Sequence, residues 1–372
     1  MPRDKIIDYL IVGSGLFGSV FAHEMKKNGK KCLVIDKRKH IGGNVYTENT
    51  NGINVHKYGP HIFHTNSKKI WDYVNKFAEF NNYRYKPLVS YKGKLYSFPI
   101  NLLTFHQLWG IQSPSELSER LEKEKINFKT PKNFEEYVLS KVGKNIYEVF
   151  FKGYTQKQWG VNPSELPSSI IKRIPIRYNY DDNYYFHKYQ GIPIGGYTGI
   201  IENMLNGIPS KLGVDYFCLS KGFIDDFKKI IFTGKIDEFY NYKYGELDYR
   251  SLRFESEFLK INDFQGTAGV NYTELEIPYT RIIEHKHFEF GDNRNFTIIT
   301  KEYPQKGDKQ NIPYYPINNL QNARIYRKYK MLADNEESII FGGRLAEYKY
   351  YDMHQVIASA LKAVKKEIKN AK

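Results

Sequence analysis

Three glycines close an apolar run near the start of the chain: Gly13, Gly15 and Gly18 in "YLIVGSGLFGSVF". Their G-x-G-x-x-G spacing suits a bound pyrophosphate. The first glycine permits a tight turn, the second lets backbone approach the phosphates, and the third lets the next helix pack closely. That helix presents free N–H groups and a partial positive charge to the anion. Asp36 ends the following apolar run, "KKCLVID", where a carboxylate accepts hydrogen bonds from a ribose. Strand, glycines, helix, strand and acid in register make dinucleotide binding the first expectation. Beside them the sequence shows no recognisable nucleophile–histidine–acid set and no metal cluster with ligand spacing. His56, His61 and His64 share "VHKYGPHIFHT", but no Cys or carboxylate completes a metal set. His285 and His287 in "HKHF" are expected on one strand face as exposed decoration.

The elements that must position these residues follow from periodicity. The N-terminal segment reads as the opening of a doubly wound sheet. From Gln107 to Gly160 helical periodicity dominates, with Ser115 and Asn133 as N-caps. Strand-like alternation appears in "RYKPLVSYKGKLYSF" and again from Leu252 to Thr300. "KKIIFTGKIDEF" reads as a buried strand returning to the first domain, and "SIIFGGRLAEYKYYDMHQVIASALKAVKKEI" as strand, glycine turn and terminal helix. The expected fold is α/β, with a discontinuous Rossmann-like domain (1–80, 194–243 and 330–372). A helical domain (100–172) and an antiparallel sheet domain (81–99, 173–193 and 244–329) are threaded into it.

With 372 residues, 41% apolar and 26% charged, the chain has the length and balance of a globular protein of two or three units. A net charge of +15 suits an acidic partner. The lysines are scattered among acids rather than gathered in a stripe, which favours a small phosphorylated substrate over nucleic acid. The 32 tyrosines and 24 phenylalanines offer stacking surfaces, although a coding bias that also favours Lys, Asn and Ile explains much of the excess. Cys32 and Cys218 both read as buried small hydrophobes, so a reducing, cytoplasmic setting is expected. The glycine-interrupted N-terminal apolar run is too short to span a bilayer, and no signal peptide is visible.

Gly42, Gly43 and Asn44, directly after the acidic strand end, resemble the second glycine pair of FAD-binding flavoproteins with two-dinucleotide-domain folds. "FGGRLAEYKYYDMHQVI" is similar to the late glycine turn of those proteins. A helix starting near Asp352 and Met353 would aim its positive end at the flavin pyrimidine. FAD is thereby favoured over NAD. The segments "HKYGPHIFHT", "FFKGYTQKQWG", "IIKRIPIRYNYDDNYY", "YQGIPIGGYT", "PYTRIIEHKHF", "PYYPIN" and "GGRLAEYKYYDM" together resemble bacterial UDP-galactopyranose mutases, in order and over nearly the whole chain.

The resemblance implies interconversion of UDP-galactopyranose and UDP-galactofuranose with no net redox change. Reduced FAD would attack sugar C1 through N5 and expel UDP, giving a covalent flavin–sugar adduct; the ring would open to an iminium, the C4 hydroxyl would reclose it, and UDP would return. It further implies a homodimer, a mobile loop within the helical domain, and a role in surface polysaccharide synthesis. Two arginines from separate segments, Arg173 and Arg281, would hold the diphosphate, aided by the hydroxyls of Tyr184, Tyr315 and Tyr350. Phe150, Phe151, Tyr154 and Thr155 would form the uridine pocket, and Trp159 would close on ligand. His64 would lie nearest the isoalloxazine and sugar; Asp352 would bond a sugar hydroxyl or cap the last helix. The cofactor set would comprise Gly13, Ser14, Gly15, Leu16, Phe17, Gly18, Asp36, Lys37, Arg38, Gly42, Gly43, Asn44, His61, Ile62, Phe217, Thr233, Gly234, Gly343, Arg344, Tyr350, Asp352 and Met353. Arg84 and Tyr85 stand where the family more often places a small amide near the sugar. A relative acting on the sugar N-acetylated at C2 would share every motif quoted, and an FAD-dependent oxidase of the same fold would share those for the cofactor.

Overall fold

The computed structural model describes residues 7–168, 176–291, 294–307 and 311–370. These residues form two compact units, the first within Met1–Asn82, His187–Ser251 and Gly307–Lys372 and the second within Tyr83–Phe186 and Leu252–Lys306.

The first unit is built on five parallel strands in the order Ile339–Phe341, Phe227–Phe232, Ile7–Val12, Cys32–Asp36, Ser210–Leu212. Parallel strands with both faces covered need near-continuous apolar runs, which "YLIV", "CLVI" and "IIF" supply. Cys32–Asp36 is buried along its whole length. Register then places the chemistry. Val12 lies opposite both Phe232 and Ile35, so the turns beginning at Gly13, Asp36 and Thr233 leave the same edge of the sheet. Helix Leu16–Lys27 packs against the terminal helix Met353–Asn370. The expected return strand and terminal helix are both present.

The second unit combines a helical layer with a sheet that is antiparallel, as expected, except where Leu88–Tyr91 and Gly269–Tyr272 run parallel. Lys94–Ser97 pairs with Leu88–Tyr91, which runs beside Gly269–Tyr272; Arg281–Glu284 and Thr297–Lys306 follow. Helices Leu102–Trp109, Pro114–Glu124 and Phe134–Ile146 bury Phe105, Leu117, Val138 and Ile146 in one core. Asn133 caps its helix as expected, accepting from the Glu136 amide. The preceding helix is capped by Ser113, not Ser115, because Pro114 fits the first helical position, where no N–H is needed. Its successor ends in a π-helical turn, Tyr147–Lys152, before Gly153–Trp159 continues. Such turns are rare and collect at functional sites.

Two expectations fail locally. Strand Arg281–Glu284 stops before "HKHF", which forms a 3-10 turn. His285 is consequently buried against Thr300 Oγ1 (2.7 Å), while His287 turns toward Asp263 and Glu284. Cys218 lies in a short 3-10 helix and is exposed, whereas Cys32 is buried in its strand. None of the described helices is long and apolar enough to cross a membrane.

Gly143 breaks the long helical stretch at φ +74°, and a Cβ there would fall 2.2 Å from the Glu124 carbonyl oxygen. Gly93 has a similar φ of +73° in an open hairpin turn. Urea unfolding should therefore show Gly93→Ala costing about 1 kcal/mol and Gly143→Ala about 3 kcal/mol, the excess coming from overpacking. Equal costs would contradict the close contact.

Candidate active site

At the shared strand edge the backbone comes closer than side chains allow. A Cβ on Gly13, whose φ is +106°, would sit 2.1 Å from Thr233 Oγ1, the hydroxyl that donates to Val12 O. One on Gly18 would sit 2.0 Å from Gly13 O, and one on Gly43 would reach to 3.1 Å from Gly15 Cα. These approaches leave an open cleft beside the glycine turns, lined from all three strand ends. Of the residues expected at the cofactor, Gly13, Gly15, Leu16, Phe17, Gly18, Asp36, Lys37, Arg38, Gly42, Gly43, Asn44, His61, Phe217, Thr233, Gly234, Gly343, Arg344 and Met353 line it. Ser14 and Ile62 are buried and outside the lining; Tyr350, which is exposed, and Asp352, which is half-buried, are outside it too. The lining also takes in Val214, Asp215, Tyr216 and Glu238, whose segments carry no glycine signature to announce them.

Asp36 is anchored before any ligand arrives. Oδ2 accepts from Ser14 N (2.8 Å) and Ser14 Oγ (2.7 Å), and Oδ1 from Arg38 N (2.9 Å). Arg38 lies over the Tyr58 ring and donates from Nη2 to Asn44 Oδ1 (2.7 Å), yet its buried Nη1 has no hydrogen-bond partner among the described residues. An orphaned guanidinium nitrogen in a glycine-walled cleft fits a phosphate. The terminal helix begins at Met353 and contributes Met353 and Val356 to the lining. Asp352 precedes it, its carbonyl accepting from Gln355 N and Val356 N and its amide donating to Gln355 Oε1.

Two histidines from the "GPHIFHT" motif separate. His61 lines the cleft, with Nδ1 donating to Gly59 O at 2.7 Å. Burial pulls its pKa down to about 4, and the Arg344 charge adds to the effect, so the ring is neutral near pH 7 with Nε2 as acceptor. His64 is not among the lining residues. Its Nδ1 lies 2.5 Å from His187 Nδ1, with His354 completing a three-ring cluster. Burial draws His64 down to about 4 against the opposing influence of Asp352. The potential ligand atoms of these three histidines lie within 4.8 Å of one another, a convergence no local spacing reveals.

Arg344 is fixed by bonds to Tyr314 O (3.1 Å) and Tyr351 O, and it faces Tyr315 and Tyr350 at 5.5 Å from each ring. Those two rings stack at 5.1 Å, so this pair expected to act together is brought together.

In the second unit, register builds a row across three strands. Asn271 pairs with Arg281, and Arg281 with Glu302. Arg281 Nε donates to Asn271 Oδ1 (2.9 Å), and Nη1 lies 3.8 Å from Glu302 Oε2. The arginine side chain keeps 20% exposure, and the phenols of Tyr85, Tyr154 and Tyr184 lie within its electrostatic reach. Helix Gly153–Trp159, which carries Tyr154, Thr155 and Trp159, is tied down by Lys157. Its ammonium donates to the carbonyls of Tyr272, Ile277 and Tyr279 at 2.8, 2.9 and 2.9 Å. Phe150 and Phe151 are buried in the helical core against Phe98 and Phe134, and Trp159 packs on the same core. Arg173 lies outside the described residues.

A glycine-walled cleft at the end of a parallel sheet, in a chain that also carries a second unit of helices and a mostly antiparallel sheet, defines a nucleotide-binding protein of Rossmann-like fold. Comparison with known proteins is more specific. The family profile "UDP-galactopyranose mutase" matches residues 149–350, and a Rossmann-like NAD(P)-binding profile matches residues 11–77. A probable UDP-galactopyranose mutase of Klebsiella pneumoniae is 43% identical, over 95% of this chain and 92% of its own length. A dTDP-fucopyranose mutase of Escherichia coli is 41% identical, over 98% of this chain and 99% of its own length. A crystal structure of reduced UDP-galactopyranose mutase shares the fold at TM-score 0.73 and 14% identity, over 97% of this chain and 94% of that one. The chain belongs to the UDP-galactopyranose mutase family of isomerases, and its Rossmann-like domain and fold point to a flavin cofactor.

If Arg38 Nη1 meets a cofactor phosphate, Arg38→Met should weaken flavin retention roughly 10- to 100-fold while leaving the circular dichroism spectrum intact. Flavin titration of the stripped protein measures this. Unchanged affinity would remove Arg38 from the phosphate site.

Proposed function

We propose that the protein is a UDP-galactopyranose mutase that interconverts UDP-galactopyranose and UDP-galactofuranose, with FAD in its reduced form as the working cofactor. The observation that carries the reading is similarity to a mutase across almost the full chain, reaching 43% identity. Bound FAD, when reduced, supplies an electron-rich ring nitrogen that can bond to the anomeric carbon. The chain's own residues do the rest. The glycine turns at Gly13, Gly15 and Gly43 admit the cofactor's pyrophosphate, and Arg38 neutralises it. His61, a neutral ring in the cleft, offers an acceptor without adding charge.

Arg281 holds the substrate diphosphate together with Arg173 and the hydroxyls of Tyr184, Tyr315 and Tyr350. A guanidinium already oriented by Asn271 and balanced by one carboxylate supports that role. Tyr154 and Thr155 take the uridine end, with Phe150 and Phe151 as the rigid wall behind them. Trp159 closes over the ligand. His64 and Asp352, which lie within electrostatic reach of each other, act at the sugar and flavin.

A second reading rests on the dTDP-fucopyranose mutase, which is 41% identical over 98% of this chain. In that case the substrate is a dTDP-linked 6-deoxysugar, and the same diphosphate contacts apply. We further propose that the protein works in the cytoplasm as a homodimer and supplies furanose units for a surface polysaccharide. Two free cysteines and the exposed apolar Leu320 and Met331 on helix Leu320–Asp334 support the setting and the self-association.

Dithionite-reduced enzyme should be incubated separately with UDP-galactofuranose, UDP-N-acetylgalactofuranose and dTDP-fucofuranose, and the products separated by chromatography. UDP-galactofuranose is expected to give the highest kcat/KM. A preference for the dTDP sugar would establish the second reading, and oxidised product would overturn both. Arg281→Ala should lower kcat/KM roughly 10- to 100-fold with flavin still bound. Loss of flavin in that variant would misplace the residue.

A further inference from the structure

Tyr85 has a feature that packing does not account for. The residue is 4% exposed, and its buried hydroxyl has no hydrogen-bond partner among the described residues. Leaving a phenol O–H unpaired in the interior is unfavourable, and such groups normally find a partner in the protein, in water or in a ligand. The surroundings show how the hydroxyl is held there. Residue 269 is a glycine, and a Cβ at that position would lie 2.5 Å from Tyr85 Oη and 3.2 Å from Cε2 and Cζ. Any larger residue would push the ring away. Tyr184 fixes the other side, its ring edge-on to Tyr85 at 5.5 Å and its amide donating to Tyr85 O at 2.8 Å.

The hydroxyl belongs to a donor-rich group. Arg281 is near enough to act electrostatically on the Tyr85 phenol, as are Tyr184 and Glu302. Burial raises the phenol pKa to about 12, overcoming the opposing pull of Arg281, so the O–H keeps its proton at neutral pH. A guanidinium and protonated phenols together call for an acceptor carrying negative charge. Glu302 cannot be the full answer, because it stands 3.8 Å from Arg281 and its other oxygen takes the Thr280 hydroxyl (3.3 Å).

We propose that Tyr85 is a substrate-binding residue, whose hydroxyl donates to a diphosphate oxygen of the nucleotide sugar held at Arg281, with Gly269 kept side-chain-free to admit the ring. The inference rests on the nucleotide-sugar reading above and adds a contact to it. Tyr85→Phe deletes the donor and keeps the ring. Gly269→Ala keeps the donor and displaces it. The two substitutions act on one atom, so their effects should not add.

Calorimetric titration of the flavin-loaded enzyme with UDP and with uridine is the test. Tyr85→Phe is expected to weaken UDP binding about 10-fold and to leave uridine binding unchanged; a tenfold change is about 1.4 kcal/mol. Gly269→Ala should weaken UDP binding likewise in the wild-type background and add less than about 3-fold in the Tyr85→Phe background. Bound flavin and the unfolding midpoint report whether each variant is folded. Should Tyr85→Phe fail to fold, Gly269→Ala alone decides, since unchanged UDP affinity with the hydroxyl displaced contradicts the contact. A Tyr85→Phe variant that binds UDP as tightly as the wild-type enzyme overturns the inference alone. A wild-type enzyme that binds neither UDP nor a UDP-sugar overturns it together with the nucleotide-sugar reading.

Discussion

The approach of Thr233 to Gly13 is the constraint from which the first unit follows. Two loops leaving neighbouring parallel strands come so near that a single methyl group at Gly13 would overlap the threonine hydroxyl. With that contact, the strand ends bearing Gly13, Asp36 and Thr233 stay level, and Asp36 can lock the glycine turn through Ser14. Gly18 then lets helix Leu16–Lys27 start directly beneath the turn, and Gly43 folds back over Gly15. The cleft is what remains when backbone replaces side chains on three sides. Its walls carry fixed dipoles and one incompletely bonded guanidinium, Arg38, which suits a charged cofactor better than a neutral one.

The second unit solves a different problem with β-register. Partly buried arginine charge is costly unless it is paired. Here one cross-strand row supplies an amide, the guanidinium and a carboxylate, with Glu302 too far for a tight bidentate pair. The charge is therefore oriented but only loosely compensated, which suits the diphosphate proposed to bind there. Around it stand phenols, which donate hydrogen bonds without adding charge. Lys157 spends its three donors on carbonyls of the 272–279 segment, so the helix carrying Tyr154 and Thr155 is held against the strand that carries Asn271.

The glycine cleft was legible in the sequence because its code is local: spacing of a few residues determines turn, helix start and strand end. The late "FGGR" turn and the helix from Met353 were legible for the same reason. The histidine cluster was not, since His64, His187 and His354 belong to separate segments brought together by the pairing of Phe63–Thr65 with Tyr189–Gly191 and by the terminal helix. The Asn271–Arg281–Glu302 row needed strand register, which alternation alone does not supply. "HKHF" misled because alternation predicts a strand where the chain instead turns, and "YFC" because its 3-10 turn packs the two aromatic rings on Phe232 and leaves Cys218 exposed. Tyr85 illustrates the same limit. Its departure was visible in the sequence, but the glycine that makes room for it stands far along the chain.

On the proposed reading, reduced flavin serves the isomerisation without giving up its electrons. Anaerobic absorbance recorded through many turnovers of UDP-galactofuranose, with no electron acceptor present, tests that most directly. The account predicts a spectrum that stays that of the reduced cofactor while pyranose accumulates well beyond one equivalent. Oxidation of the flavin in step with product, or product formation that halts after a single equivalent, would contradict it.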